Sequence, residues 1–168
     1  MNIYPTSICP YQCAEYLDDR RIPIAINHVC QIMVTALKLN NIKDYRLTKG
    51  VKCATRSHKW CTWAAENASN FRWLLRYFYA MCEEHRKRRG VEHVNRSMYR
   101  LFSDSLLLMP AGSLTEFVVV SDYLELNMIF NNLEPEVAYQ LYLETLWRLD
   151  KNEPKWYGKK KAFYKCVS

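Results

Sequence analysis

From Pro23 onward, apolar side chains return at steps of three and four: Ile26, Val29, Cys30, Met33, Val34 and Leu37. That spacing predicts a helix with one face against a core, and Pro23 suits its first turn, where a missing N–H does no harm. Asn27, His28, Gln31 and Thr35 fall on the adjoining polar side. Residues 40–50, NNIKDYRLTKG, read as a loop with Gly50 available for a turn. Residues 57–88 carry a second stripe of Trp60, Ala64, Phe71, Leu74, Leu75, Phe78 and Cys82, on one long helix or two abutting ones, with Ser57 as its cap. The stretch closes in EEHRKRRG, cations followed by glycine, which suits a helix C-terminus.

A shorter helix is predicted over 92–103. LLLMPAGS then breaks the pattern at Pro110 and Gly112, and EFVVV at 116–120 is β-like or a buried extended segment. Glu134–Pro135 opens a last helix through Asp150, with Val137, Ala138, Leu141, Thr145 and Leu149 on one face. There is no internal repeat and no low-complexity linker. The expectation is one compact all-α domain over 1–168, with at most a short extended segment near 116–120.

At 168 residues the chain suits a single domain with a real core. Its 49% apolar and 24% charged residues are ordinary for a folded soluble protein. No apolar run approaches the length of a membrane span, and MNIYPTSICP has neither the basic start nor the apolar core of a signal peptide, so no membrane partner is expected. The seven cysteines are scattered, and Cys30, Cys61 and Cys82 lie inside helical patterns, which points to reduced thiols in a cytoplasmic protein. Cys9 with Cys13, and His58 with Cys61, have zinc-ligand spacing, but no second close pair completes a four-ligand motif. Neither a metal nor another cofactor is expected.

Charge narrows the partner. The 24 basic residues against 17 acidic ones give +7, a balance that favours a polyanion. Aromatics reach 14%, with twelve Tyr and five Trp, and rings beside cations suit base stacking next to phosphate contacts. With four glycines in all, no loop of the phosphate-cradling kind is present, which disfavours a nucleotide-hydrolysing motor.

Candidate chemistry concentrates in SHKWCTWAAENASNFRWL, 57–74. His58, Thr62, Glu66 and Asn70 are spaced by four and form a polar row ending near Trp73. A histidine and a carboxylate two turns apart can polarise a water or orient an extruded base, although a solvated helix face carries the same pattern. His28 poses the same choice between packing and catalysis. Arg20 and Arg21, ahead of a helix start, suit a phosphate clamp unless Asp18 and Asp19 neutralise them. In EPKWYGKKKAFYKCVS, Lys155, Lys159, Lys160, Lys161 and Lys165 interleave with Trp156, Tyr157, Phe163 and Tyr164, either to grip DNA or to dock rings on the core. RKRR at 86–89 extends that footprint or is a solvated helix end.

Three blocks in order, CAEYLDDRRIPIAINHVCQIMVTAL, SHKWCTWAAENASNFRWLLRYFYAMCEEHRKRRG and VAYQLYLETLWRLDKNEPKWYGKKKAFY, resemble phage proteins described as pyrimidine-dimer DNA glycosylases, or endonuclease V-like. The resemblance covers most of the chain and is weakest at 40–56 and 103–130. Its most specific part is the arrangement of His58, Cys61, Trp63, Glu66, Asn70 and Trp73, and PKWYGKKKAFY resembles the family's closing motif. It implies a compact helical domain that binds double-stranded DNA, kinks it and extrudes a nucleotide. In the type enzyme the amine of an N-terminal threonine attacks deoxyribose C1′, a helix glutamate stabilises the intermediate, and arginines hold phosphates in the region corresponding to Arg20 and Arg21.

Two positions depart from that pattern. Residue 2 is Asn, so Met1 is expected to remain and no threonine amine is available. The acidic position of the phage relatives falls on His28, and the type enzyme's glutamate falls nearer Arg21. A Schiff-base lyase would then need the amine of Met1, whose ordinary pKa is about 8, together with Glu66. Three functions follow. The first is a glycosylase or glycosylase/lyase for a damaged or modified pyrimidine, and the second a phage transferase adding an amine or amino acid to 5-hydroxymethyluracil derivatives in DNA. The third is an inactive DNA-binding relative. A base-flipping enzyme ranks first. Its expected catalytic groups are His28, Glu66, His58 and Asn70, and its base pocket Asn27, Gln31, Thr62 and Trp73. DNA would be held by Arg20, Arg21, Lys155, Trp156, Tyr157, Lys159, Lys160 and Lys161. The expected setting is a phage protein acting as a monomer in the host cytoplasm.

Overall fold

The computed structural model describes residues 3–48, 52–120 and 132–157. Among them are six α-helices: α1 Pro10–Tyr16, α2 Arg21–Leu39, α3 Lys59–Glu66, α4 Ala68–Arg89, α5 Tyr99–Ser105 and α6 Pro135–Leu149. Short 3-10 turns cover Tyr45–Thr48, Val94–Met98 and Leu106–Leu108. The fold is compact and all-α, as the periodicities require. α2 packs on α3 and α4, and α1 lies along α4. The predicted stripe of α2 is buried throughout. By length and composition α2 is apolar enough to cross a membrane, contrary to the reading of apolar runs, but 61% of its apolar window is covered by the rest of the protein.

The stretch 57–88 is two helices, not one. The break is Asn67, whose extended backbone ends α3 and whose Oδ1 accepts from the N–H groups of Ser69 (2.9 Å) and Asn70 (3.0 Å) to cap α4. His58, rather than Ser57, caps α3: its Nδ1 accepts from Trp60 N at 3.3 Å. The helix predicted over 92–103 is instead a 3-10 turn followed by α5.

No strand forms at 116–120 among the described residues. Phe117 plunges into a cluster with Trp73 (4.7 Å between ring centroids), Trp63 (5.6 Å) and Trp60 (6.4 Å). Tyr139 of α6 then fastens the segment, donating its hydroxyl to Val118 O and accepting from Val120 N, both at 3.0 Å. This docking decides which face of α6 is inward. Ala138, Tyr139, Tyr142, Leu143 and Trp147 are buried, whereas Val137, Leu141 and Leu149 of the predicted face are 40–62% exposed. The aromatic face removes more apolar area from water, so it wins.

The charged preface of α2 is an internal knot. Asp18 is 1% exposed and accepts from Arg20 N and Arg21 N through Oδ1, and from Arg21 Nη1 (2.9 Å) and Trp147 Nε1 (2.7 Å) through Oδ2. Arg21 spans on to Asp150 at 2.8 Å. Burial works against the Arg21 charge, yet Asp18 and Asp150 together hold its pKa above the ordinary arginine value. Asp19 meets Arg88 at 3.1 Å and accepts from Tyr157 N through Oδ2 at the same distance. α2, α4, α6 and residues 155–157 are thereby tied at one point.

Candidate active site

The break at Asn67 turns the polar row of α3 toward a third segment. Glu66, the last residue of α3, is exposed, and Asn70, one turn into α4, is fully buried. Between them comes Thr115. The Asn70 amide donates to Trp63 O (2.9 Å) and Thr115 Oγ1 (2.8 Å), while its Oδ1 accepts from Thr115 N (3.0 Å). An amide NH₂ has two protons, so those short bonds use both and its 3.3 Å approach to Glu66 Oε2 is secondary. The principal donor to Glu66 Oε2 is the Thr115 hydroxyl, at 3.2 Å. Among the described residues nothing bonds Glu66 Oε1, which leaves that oxygen available.

Gly112 makes this approach possible. A Cβ there would sit 2.7 Å from Asn67 Cβ, so only glycine lets the 110–117 segment lie against the helix break. Ala68 N to Pro110 O (2.7 Å), Ser69 Oγ to Gly112 O (2.6 Å) and Trp63 Nε1 to Glu116 O (2.9 Å) pin it on both sides of Thr115.

Beside Glu66 opens a shallow groove of about 530 Å³, lined by Leu39, Asn40, Thr62, Trp63, Ala65, Glu66 and Val118. Asn40 closes the end of α2 over it, donating to Ala65 O at 2.9 Å. Lys43 lies three residues after Asn40, Lys59 three before Thr62, and Arg72 six after Glu66. All three are exposed and make no ion pair among the described residues. An apolar-walled groove with one held carboxylate can seat a planar group.

The other expected site residues land elsewhere. His28 is half-buried, and its neighbour Asn27 accepts from Asn95 Nδ2 at 2.8 Å. Twelve helical residues separate Asn27–His28 from Leu39–Asn40, about 18 Å along α2 at 1.5 Å per residue. His28 therefore does not line the Glu66 groove, and neither Asn27 nor half-buried Gln31 does. His58 serves as a cap, and Asn70 is a buried clamp rather than a group open to a substrate. Trp73 is 5% exposed, donates to Ile8 O at 2.7 Å and belongs to the core. Thr62 does line the groove.

The proposed grips on DNA divide likewise. Arg21 is consumed by Asp18 and Asp150, so it cannot clamp a phosphate. Arg20 is 66% exposed at its side chain but pairs with Asp150 at 3.0 Å. Of the cations at 86–89, Arg88 is buried against Glu84 and Asp19, Arg86 and Lys87 pair with Glu83 and Glu84, and Arg89 donates to Asp19 O. Trp156 docks on the core, edge-on to Trp147 with centroids 5.2 Å apart. Lys155 and Tyr157 are exposed, and Lys159, Lys160, Lys161, Lys165, Phe163 and Tyr164 lie outside the described residues. The cysteines expected as reduced thiols include Cys13, which burial pushes up to about 12 while its Sγ donates to Ser7 O. The buried thiol is a packing group in this fold.

Sequence reasoning missed Thr115, Asn40, Leu39 and Val118. Thr115 lies 49 residues from Glu66, and no local periodicity marks such a pairing. The family model described as pyrimidine dimer DNA glycosylase matches residues 1–98, which hold α1 to α4 and Glu66. No curated protein and no solved structure matches the chain.

Proposed function

Because the chain belongs to the pyrimidine dimer DNA glycosylase family, we propose that it releases a damaged or modified pyrimidine from double-stranded DNA, with Glu66 as the acting carboxylate. The observation that carries this reading is the exposed Glu66, held through Oε2 by Thr115 and lining the groove. The extruded nucleotide would lie along Trp63, Leu39 and Val118, with Thr62 and Asn40 as polar contacts. Lys43, Lys59 and Arg72 would take phosphates, a contribution that falls steeply with salt.

In the hydrolytic form, Glu66 takes a proton from water as the water oxygen bonds to C1′. The C1′–N1 bond breaks with its electron pair going to the base, which leaves protonated from solvent. Stabilising positive charge at C1′ is the second service of the same carboxylate. If an amine at the N-terminus is the nucleophile instead, the product is a Schiff base that borohydride traps.

The test is incubation of the pure protein with duplexes bearing pyrimidine dimers and with phage DNA carrying modified pyrimidines, followed by mass spectrometry of the nucleosides. Base release that Glu66→Gln slows by about 10²–10⁴-fold supports the reading. A mass gain on the base would replace it with group transfer. Tight binding with no change to any base would leave a DNA-binding relative.

A further inference from the structure

Resting on the DNA reading above, we propose that Leu107 and Leu108 form an apolar wedge that enters the duplex and fills the gap left by the extruded nucleotide. They are the tip of the 3-10 turn Leu106–Leu108, and they are 91% and 65% exposed. The turn is anchored on both sides: Phe102 before it is fully buried against Phe71 and Phe78, and Met109 after it is 6% exposed. Met109 Sδ lies 3.9 Å from Asn40 Nδ2, a groove residue. Leu108 is one residue, about 3.8 Å along the chain, from that contact. The wedge thus lies on the segment that contacts the acting carboxylate, since the same stretch runs on through Gly112 to Thr115, which bonds Glu66 at the end of α3.

The size of the tip selects its partner. A stable protein interface needs roughly 800 Å² on each side, far more than two leucyl side chains present. The gap left in a base stack by one nucleotide is side-chain sized, and apolar residues inserted between base steps are a general means of bending DNA.

A duplex carrying 2-aminopurine beside a stable abasic-site analogue reads the insertion directly, since fluorescence rises when the reporter unstacks. The full-length protein should give that rise. Leu107→Ala/Leu108→Ala should abolish it and slow base release roughly tenfold or more, while melting temperature and affinity for undamaged duplex stay at the parent's values. Leu107→Met/Leu108→Met should restore both. A double alanine variant that still gives the full rise overturns the wedge, as does one whose only defect is in association with a protein. If the rise depends on the leucines but no lesion is ever cut, the wedge stands and the glycosylase reading fails. If the parent binds no duplex, both fall.

Discussion

The Thr115 hydroxyl donates to Glu66 Oε2 at 3.2 Å across 49 residues of sequence. Together with Trp63 Nε1 to Glu116 O it joins the loop segment to α3, and it gives the carboxylate one held oxygen and one open one. Asn70, fully buried behind them, fixes Thr115 by bonding both its hydroxyl and its backbone N–H. The direction of the carboxylate is therefore set by packing two layers away from solvent.

Thr115→Val keeps the shape and removes the donor. A hydrogen bond to a charged group contributes about 1.5–3 kcal/mol, which corresponds to roughly tenfold to hundredfold in rate if the full amount is felt in the transition state. Single-turnover base release should fall by that factor, with duplex affinity unchanged. Thr115→Ser should restore most of the rate. Equal rates for valine and threonine would show that the hydroxyl does not orient Glu66.

Gly112→Ala tests the same alignment from the backbone side. The new methyl would meet Asn67 Cβ at 2.7 Å, so the segment must move away from the α3–α4 break. Overpacking of this kind costs about 1–3 kcal/mol, read as a lower urea midpoint. Because Thr115 rides on the same segment, base release should fall by more than the stability loss explains. Asn67→Gly, which removes the obstructing side chain, should recover part of the activity in the double variant. No recovery would place the strain elsewhere.

The sequence made the helices legible and the site only half so. α2 and α4 announce themselves because a single apolar stripe runs their length, and tertiary packing follows such stripes. The face of α6 was misread because two stripes compete there, and the choice between Val137–Leu141 and Tyr139–Tyr142–Trp147 depends on partners from elsewhere: Val118, bonded by Tyr139, and Tyr4, whose ring centroid lies 6.4 Å from that of Tyr139 and 6.0 Å from that of Tyr142. The polar row of α3 put Thr62 and Glu66 together correctly because both lie on one short helix. Asn70 joined them through a helix break that spacing alone does not reveal, and Thr115 came from a segment with no period at all. His28 was expected to share their pocket, but face alone says nothing of distance along a helix axis.

Arg21→Met distinguishes the knot from a phosphate clamp. The variant leaves Asp18, 1% exposed, and Asp150 without their shared cation. Breaking a buried pair in this way costs about 3–5 kcal/mol, visible as a lower urea midpoint with an unchanged slope. Asp18→Asn/Arg21→Met should regain part of the loss, since it removes the unpaired buried charge, while the single asparagine oxygen can still accept from the backbone N–H groups of residues 20 and 21. Duplex affinity of the folded variant should match the parent's. A variant of unaltered stability but weakened DNA binding would mean that Arg21 faces phosphate after all.

His93 gives the fold a pH dependence whose sign is fixed by its surroundings. Its ring lies edge-on to His85, with centroids 5.2 Å apart, and its Nδ1 accepts from Asn95 N at 3.2 Å to start the 3-10 turn Val94–Met98. Burial, and then the neighbouring His85, lower its pKa below the ordinary 6.5, against the opposing pull of a hydrogen bond to the Pro23 backbone. The folded state thus binds this proton less readily than the unfolded chain does. Its contribution is present in full above about pH 6.5 and is lost as pH falls through the lower folded value. Protonation would also remove the Nδ1 acceptor that caps the turn, and Asn95 from that turn holds Asn27 of α2 at 2.8 Å. Melting temperature should therefore decline between pH 7.5 and 5. His93→Asn, which keeps a capping acceptor but cannot take up the proton, should flatten that slope, and a slope identical in parent and variant would assign the dependence to other groups. Hydrogen exchange at Asn95 and Arg96 should quicken in the same range, because the turn released is the one His93 starts.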